Sequence, residues 1–191
     1  HVRVYSWDGS SWNLLGNDID GEGTDDNSGY SVSLSSDGMT VAIGAIGNDG
    51  NGSSAGHVRI YSWDGNSWTQ LGADIDGETV YDRSGYYVSL SSDGMRVAIG
   101  SPYNNENGTY SGHVRVYSLD GNSWNQLGAD IDGEAASDQS GNSVSLSSDG
   151  LTLAIGAQYN DGNGLDAGHV RIYSWDGSSW NQLGADIDAE A

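Results

Sequence analysis

The chain repeats itself every 56 residues without slippage, so its fold must be one unit used several times over. The segment His1-Val2-Arg3-Val4-Tyr5-Ser6-Trp7-Asp8-Gly9 returns from His57, from His113 and from His169. Trp12, Trp68, Trp124 and Trp180 stay in register between the copies, as do Gly44, Gly100 and Gly156. A fixed period of this order marks a solenoid, a propeller or an array. Architecture, type of partner and catalytic potential can therefore all be argued from one unit.

One unit reads as four strands. Tyr30-Ser31-Val32-Ser33-Leu34 alternates apolar and small polar residues, the period of a half-buried strand. Ser35-Ser36-Asp37-Gly38 follows, and Asp-Gly marks a tight hairpin because glycine takes positive φ without strain. Thr40 to Ala45 is a second, more continuously apolar strand, and a polar loop from Gly47 to Ala55 comes after it. The third strand, His57 to Trp63, sets His57, Arg59 and Tyr61 on one face and Val58 and Ile60 on the other. Asp64-Gly65 turns the chain into a fourth strand from Trp68 to Gly72, and residues 73–84 form an acidic connector to the next unit.

Composition fits that reading. Gly occurs 30 times, Pro once, and Phe and Cys not at all, so seven Trp and eleven Tyr supply the bulky apolar mass. Few stretches favour helix, and the expected class is all-β with many tight turns. The formal net charge is −21 with six arginines and no lysine. Such a surface repels nucleic acid and anionic lipid, which need clustered cations, and it keeps the protein soluble. No apolar run is long enough to span a bilayer as a helix, so no membrane insertion is expected. The absence of Cys assigns no redox compartment. The chain lacks an initiator Met and starts inside a unit, as a processed form or a window on a longer array would.

Four short antiparallel strands closed by Asp-Gly hairpins make one blade of a β-propeller. Gly-Tyr-Ser-Val-Ser-Leu, Val-Ala-Ile-Gly-Ala and Gly-His-Val-Arg-Ile-Tyr together resemble the FG-GAP repeat of integrin-α-type propellers, and Gly100-Ser101-Pro102 resembles its Gly-Ala-Pro. The hairpin Ser-Val-Ser-Leu-Ser-Ser-Asp-Gly also resembles the inner hairpin of WD40-like blades. The sequence departs from the family in two places. Ser28-Gly29, Ser84-Gly85 and Ser140-Gly141 stand where the family has Phe-Gly, and only Ser-Ser-Asp-Gly fills the place of its calcium loop. Calcium is not expected at the family's usual place.

The units divide as a half blade and connector over 1–28, then blades over 29–84, 85–140 and 141–191. Three and a half blades fall short of a typical closed ring of four to eight. The chain then belongs to a longer array, pairs with a second copy in one ring, or stacks into an open polymer. Each arrangement needs further copies of its own kind at the ends, because an unpaired strand edge is a template for association.

Candidate sites follow the same period. The acidic ladder Asp18, Asp20, Glu22 recurs as Asp74, Asp76, Glu78, as Asp130, Asp132, Glu134 and as Asp186, Asp188, Glu190. An extended ladder puts its carboxylates on one face, where they could hold Ca2+, or simply solvate the connector. A second calcium candidate is the loop holding Asp161, Asn163 and Asp166. Asn51-Gly52-Ser53 and Asn107-Gly108-Thr109 are N-glycosylation sequons one period apart, which points to an extracellular glycoprotein. The copies diverge in the loop after strand two and in the connector, which leave a blade on the same face. That gives Tyr81, Arg83, Tyr103, Glu106, Tyr110 and Tyr159 as a binding face for protein or glycan ligands. The four histidines recur once per blade, and the sequence offers no asymmetric set of nucleophile, base and orienter. The expectation is a secreted, non-enzymatic structural protein whose blades associate end to end into a surface or filamentous assembly. The alternative is a discrete propeller for adhesion or glycan recognition, with calcium as a helper.

Overall fold

The computed structural model describes residues 1–189 and is all-β, with no helix among them. A half blade comes first, β1 (Tyr5–Trp7) and β2 (Trp12–Leu14). The first full blade holds β3 (Ser28–Leu34), β4 (Thr40–Ala45), β5 (His57–Trp63), β6 (Trp68–Gln70) and β7 (Ile75–Asp76). The second holds β8 (Tyr87–Leu90), β9 (Arg96–Ser101), β10 (His113–Asp120), β11 (Ser123–Gln126) and β12 (Ile131–Asp132). The third holds β13 (Ser140–Leu146), β14 (Thr152–Ala157), β15 (His169–Trp175), β16 (Trp180–Gln182) and β17 (Ile187–Asp188).

Each full blade is the expected antiparallel meander, β3-β4-β5-β6 and its two counterparts. The turn chemistry explains the register. In the first hairpin Ser35 donates its hydroxyl to Asp37, the Met39 amide donates to the same carboxylate oxygen, and Gly38 sits at φ +71°. In the second, the Asp64 carboxylate accepts the amides of Asn66 and Ser67 across the Gly65 turn. The tryptophans flanking that turn are cross-strand partners, Trp63 with Trp68 and Trp175 with Trp180.

The connector differs from a solvated linker. Its Asp-Ile-Asp centre forms the short strands β7, β12 and β17, which pair with the start of strand three, Val58 opposite Ile75 and Val114 opposite Ile131. The cause is the alternation itself: the isoleucines of the first three ladders, Ile19, Ile75 and Ile131, face inward and are buried.

The apolar core lies between blades. One cluster joins Ala42, Val58, Ile60 and Ile75 of the first blade to Val88, Leu90, Val97, Ile99 and Tyr117 of the second, and the next cluster repeats it one period on. Strand three is therefore buried on both faces. Each tryptophan of strand four donates its indole N–H to a backbone carbonyl of the preceding unit, Trp68 to Leu15, Trp124 to Leu71 and Trp180 to Leu127. Inner strands are stitched as well, Leu90 N–H to the Ser33 hydroxyl and Leu146 N–H to that of Ser89. Gly44 and Gly100 are required here, since a methyl on either would strike the carbonyl oxygen of Gly85 or Gly141 in the following blade.

Candidate functional site

Two features stand out once the blades are assembled: the faces left open at the two ends, and a polar cluster repeated between neighbouring blades.

At the amino-terminal end, β1 pairs only with β2, so its other edge carries unpaired backbone groups. In complete blades that edge of strand three takes strand two over six residue pairs. Val32 and Leu34 are 53% and 50% exposed, whereas the equivalent Val88 and Leu90 are buried at 4% and 7%. Trp12 is 67% exposed. At the other end, Val170 and Ile187 are exposed although their equivalents Val58 and Ile75 are buried. A methyl on Gly16, Gly72 or Gly128 would strike a tryptophan of the next unit, while Gly184 has nothing near it. A hollow lined by Gly156, Gly168, Val170 and Ile187 lies where a following strand one would sit. The ends match at one contact: Trp12 at one end stands where Leu183 and Gly184 at the other would receive an indole, whereas β4, β9 and β14 are each paired on both edges and leave no spare strand two for β1.

The polar cluster centres on histidine. His57, His113 and His169 are buried, each placed by the first residue of strand three. Nδ1 of His57 lies 3.6 Å from Asp74 Oδ2 and 3.9 Å from Glu22 Oε2. The second cluster has 3.5 Å to Asp130 and 3.8 Å to Glu78, and the third 3.7 Å to Asp186 and 3.8 Å to Glu134. Glu106 adds a further carboxylate to the second. Burial, with the Arg115 charge beside it, holds the His113 pKa down to about 4 against the pull of Asp130 and Asp82, so its ring is neutral at pH 7. Burial raises the Glu78 carboxyl, helped by Asp130 and Glu106 and opposed by Arg115. These side chains could hold a metal ion.

The ladders thus do not act as units. Asp74 joins Glu22 of the preceding ladder, and Glu78 passes on to His113 and Asp130 of the next blade. The middle residues contribute backbone instead, the carbonyls of Asp20, Asp76 and Asp132 accepting from Arg59, Arg115 and Arg171. Asp18 is held by both Nε and Nη2 of Arg3 at 2.9 Å, and that pairing holds its carboxyl below the usual range. Asp188 pairs with His169 in β17, and Glu190 lies outside the described residues.

The other candidate loop is closed by its own side chains. Asp161 accepts the Asp166 amide, and Asn163 donates to the Ala189 carbonyl. Asn51 and Asn107 make the same contact, donating to the carbonyls of Gly77 and Gly133. The third copy keeps this bond although it has no sequon, so the asparagine amide ties the loop to the ladder in every blade.

The loop after strand two and the connector do leave on one face and bond to each other, Tyr81 N–H to Ser53 and Arg83 N–H to Ser54. There the Arg83 guanidinium stacks 4.6 Å over the Tyr103 ring, and Tyr103 meets Tyr110 and Tyr86 edge-on. Tyr86 in turn meets Tyr30, so a row of four tyrosines runs across two blades. Tyr30 and Tyr86 were not legible as part of it. Tyr81 and Tyr159 are exposed, and the ring contacts of the row do not include them. Glu106 belongs to the histidine cluster instead.

Sequence reading also missed the buried aspartates Asp26, Asp82 and Asp138. Asp82 accepts the Thr79 amide and hydroxyl and the side chain of the buried Asn104. The residues flanking it, Tyr81 and Arg83, take left-handed backbone at φ +66° and +54° around that anchor. The signal was available: these aspartates recur at 56 residues while their flanks vary, Asp25 and Asn27, Tyr81 and Arg83, Ser137 and Gln139.

Known families agree with this architecture. The family model for the FG-GAP repeat matches residues 19–61 and 129–173. Those two stretches are FG-GAP-type repeats. No curated protein matches the sequence. Among solved structures, a proposed 6-phosphogluconolactonase of Bacteroides uniformis superposes with a TM-score of 0.64 at 13% identity, over 98% of this chain and 48% of its own. Sqt1 of Saccharomyces cerevisiae gives 0.55 at 15%, over 87% and 37%. The periplasmic gluconolactonase PpgL of Pseudomonas aeruginosa gives 0.50 at 15%, over 99% and 64%. At such identities the likeness is one of fold, and this FG-GAP-type chain spans less than two thirds of each of them.

Proposed function

We propose that this FG-GAP-type chain is a non-enzymatic structural module of the cell exterior. Its open blade ends join further blades of the same kind, end to end, into a surface or filamentous assembly. One observation carries the reading: the strand-four tryptophan at one end and the empty seat at the other are the two halves of a contact the chain already makes internally. Trp12 stands where Trp68, Trp124 and Trp180 each latch onto a preceding leucine carbonyl, and Leu183 with Gly184 is the vacant counterpart of that seat. The free edge of β1 and the exposed Val32 and Leu34 call for a strand two from outside this chain's own blades, because β4, β9 and β14 are each paired on both edges. Partners joined this way are heterologous, which gives rings when the rotation closes and fibres when it does not.

The non-enzymatic reading rests on symmetry. The histidine clusters recur blade after blade, whereas catalysis needs one asymmetric constellation. The exterior location rests on the paired sequons, and a mass shift on deglycosylation of native material tests it at Asn51 and Asn107. A second reading, a binding module, draws on the tyrosine row with Arg83, a rigid aromatic surface of the sort that recognises protein or glycan. Light scattering combined with negative-stain microscopy separates the readings. Mass that grows with concentration, with fibres or rings in the images, supports assembly. A chain that stays monomeric at 100 µM, a level chosen as roughly a hundred times a micromolar Kd, refutes it and leaves the tyrosine row as the surface to screen.

A further inference from the structure

The histidine clusters carry an inference of their own, independent of how the ends pair. Three times over, a buried imidazole faces two carboxylates, each held by one oxygen and presenting the other. The aspartate is held by a glutamine: Gln70 donates to Asp74 Oδ1 at 2.6 Å, Gln126 to Asp130 Oδ1 at 2.5 Å and Gln182 to Asp186 Oδ1 at 2.6 Å. The glutamate is held by an arginine, with Arg59, Arg115 and Arg171 at 3.4, 3.5 and 3.8 Å from Oε1 of Glu22, Glu78 and Glu134. In each cluster the remaining oxygens, Oδ2 and Oε2, lie nearest the histidine Nδ1.

The distances decide what the arrangement is for. At 3.5–3.9 Å the imidazole is too far from the carboxylates to donate a hydrogen bond. Both ring nitrogens of His113 and of His169 are buried with no hydrogen-bond partner, a costly state that calls for an explanation. Donors around a tetrahedral ion with bonds of about 2.0–2.1 Å stand roughly 3.3–3.4 Å apart, so closing onto an ion would draw each carboxylate oxygen in by about 0.1–0.6 Å. Holding the spare oxygens by neighbouring donors is what orients ligands in metal sites.

We propose that the clusters at His57, His113 and His169 each bind a divalent first-row transition cation, using histidine Nδ1, aspartate Oδ2 and glutamate Oε2. The fourth ligand is water, or Glu106 in the second cluster, which opens onto a hollow lined by Glu78, Asn104, Glu106 and Asp130. Two carboxylates against one arginine leave each site a net negative charge for the cation. Calcium suits the sites poorly, since it requires six to eight oxygens and no nitrogen. The glutamate comes from the preceding unit, so each ion clips two units together. In the first unit Arg3 holds both oxygens of Asp18, so no site is assigned there.

Titration of the full chain, stripped with EDTA, by ZnCl2 in a calorimeter tests this. Three zinc ions per chain are expected, with micromolar or tighter affinity and no displacement by millimolar CaCl2. H113Q lowers the count to two. E78Q does the same through a half-exposed carboxylate outside the apolar core, so the test survives if the histidine variant fails to fold. A count unchanged in E22Q, E78Q and E134Q, binding only at millimolar zinc, or equal competition by calcium overturns the proposal.

Discussion

Replacing Trp12 by alanine isolates the contact on which the proposed assembly depends. Trp68, Trp124 and Trp180 occupy the equivalent position but are half-buried against a preceding unit, whereas Trp12 is 67% exposed. In the monomer Trp12→Ala removes only the Trp7 ring contact at 5.5 Å, and the loss is within about 1 kcal/mol. At a junction between copies, Trp12 would regain the indole N–H···O=C bond that its equivalents make at 2.8–2.9 Å, contributing about 0.5–1.5 kcal/mol. It would also bury about a third of a tryptophan, some 60–70 Å² worth about 1.5 kcal/mol. Together the contact is worth about 2–3 kcal/mol, roughly a 30- to 150-fold weakening of Kd. Sedimentation velocity over a concentration series gives the Kd, and urea unfolding at low concentration gives the monomer stability. Trp124→Ala, by contrast, lowers the stability of the isolated chain by several kcal/mol, about 3 or more. The reasoning fails if Trp12→Ala leaves Kd unchanged, or if it destabilises the dilute monomer as much as Trp124→Ala does.

Further outcomes follow from the same repeat symmetry. Leu90→Ala and Leu146→Ala should each cost about 2–5 kcal/mol in denaturant unfolding, while Leu34→Ala, in an identical local sequence but half exposed, should cost under about 1. Gly100→Ala, whose methyl meets the Gly141 carbonyl, should cost about 1–3 kcal/mol. Gly156→Ala meets only the movable Ser143 hydroxyl and should cost less, which thermal unfolding of the pair will show. The His113 pKa is depressed in the folded chain, so the unfolded chain binds the extra proton first on acidification. Stability of the EDTA-treated protein should therefore hold above pH 6.5 and fall between about 6.5 and 4, and His113→Gln should flatten that part of the profile.

What was legible in the sequence is what the chain encodes locally. The spacing of Val32 and Leu34, the Asp37-Gly38 and Asp64-Gly65 turns and the Trp63–Trp68 pair all lie within one hairpin, and each appears where residue type and period put it. The 56-residue period carried the rest of the blade, because equal sequences must make equal contacts wherever they have the same neighbours. The clusters between blades were less legible. Neighbours along the ladder, Asp74 and Glu78, part company, while Glu22 and Asp74 from successive ladders converge on His57. Spacing along a strand says which side chains share a face, but not which unit packs against that face. Asp82 escaped for a related reason: one acid in a polar connector looks solvated until Asn104 from another loop reaches it.

The most direct measurement of the central claim mixes two end-blocked variants. Trp12→Ala disables the amino-terminal face and leaves the carboxy-terminal one intact, and Leu183→Asp, at an exposed position in the empty seat, does the reverse. Each alone should stay monomeric by light scattering at concentrations where the unmodified chain assembles, and an equimolar mixture should form a complex of one copy of each and nothing larger. A mixture that remains monomeric, or either variant assembling by itself as the unmodified chain does, would contradict head-to-tail joining of the blades.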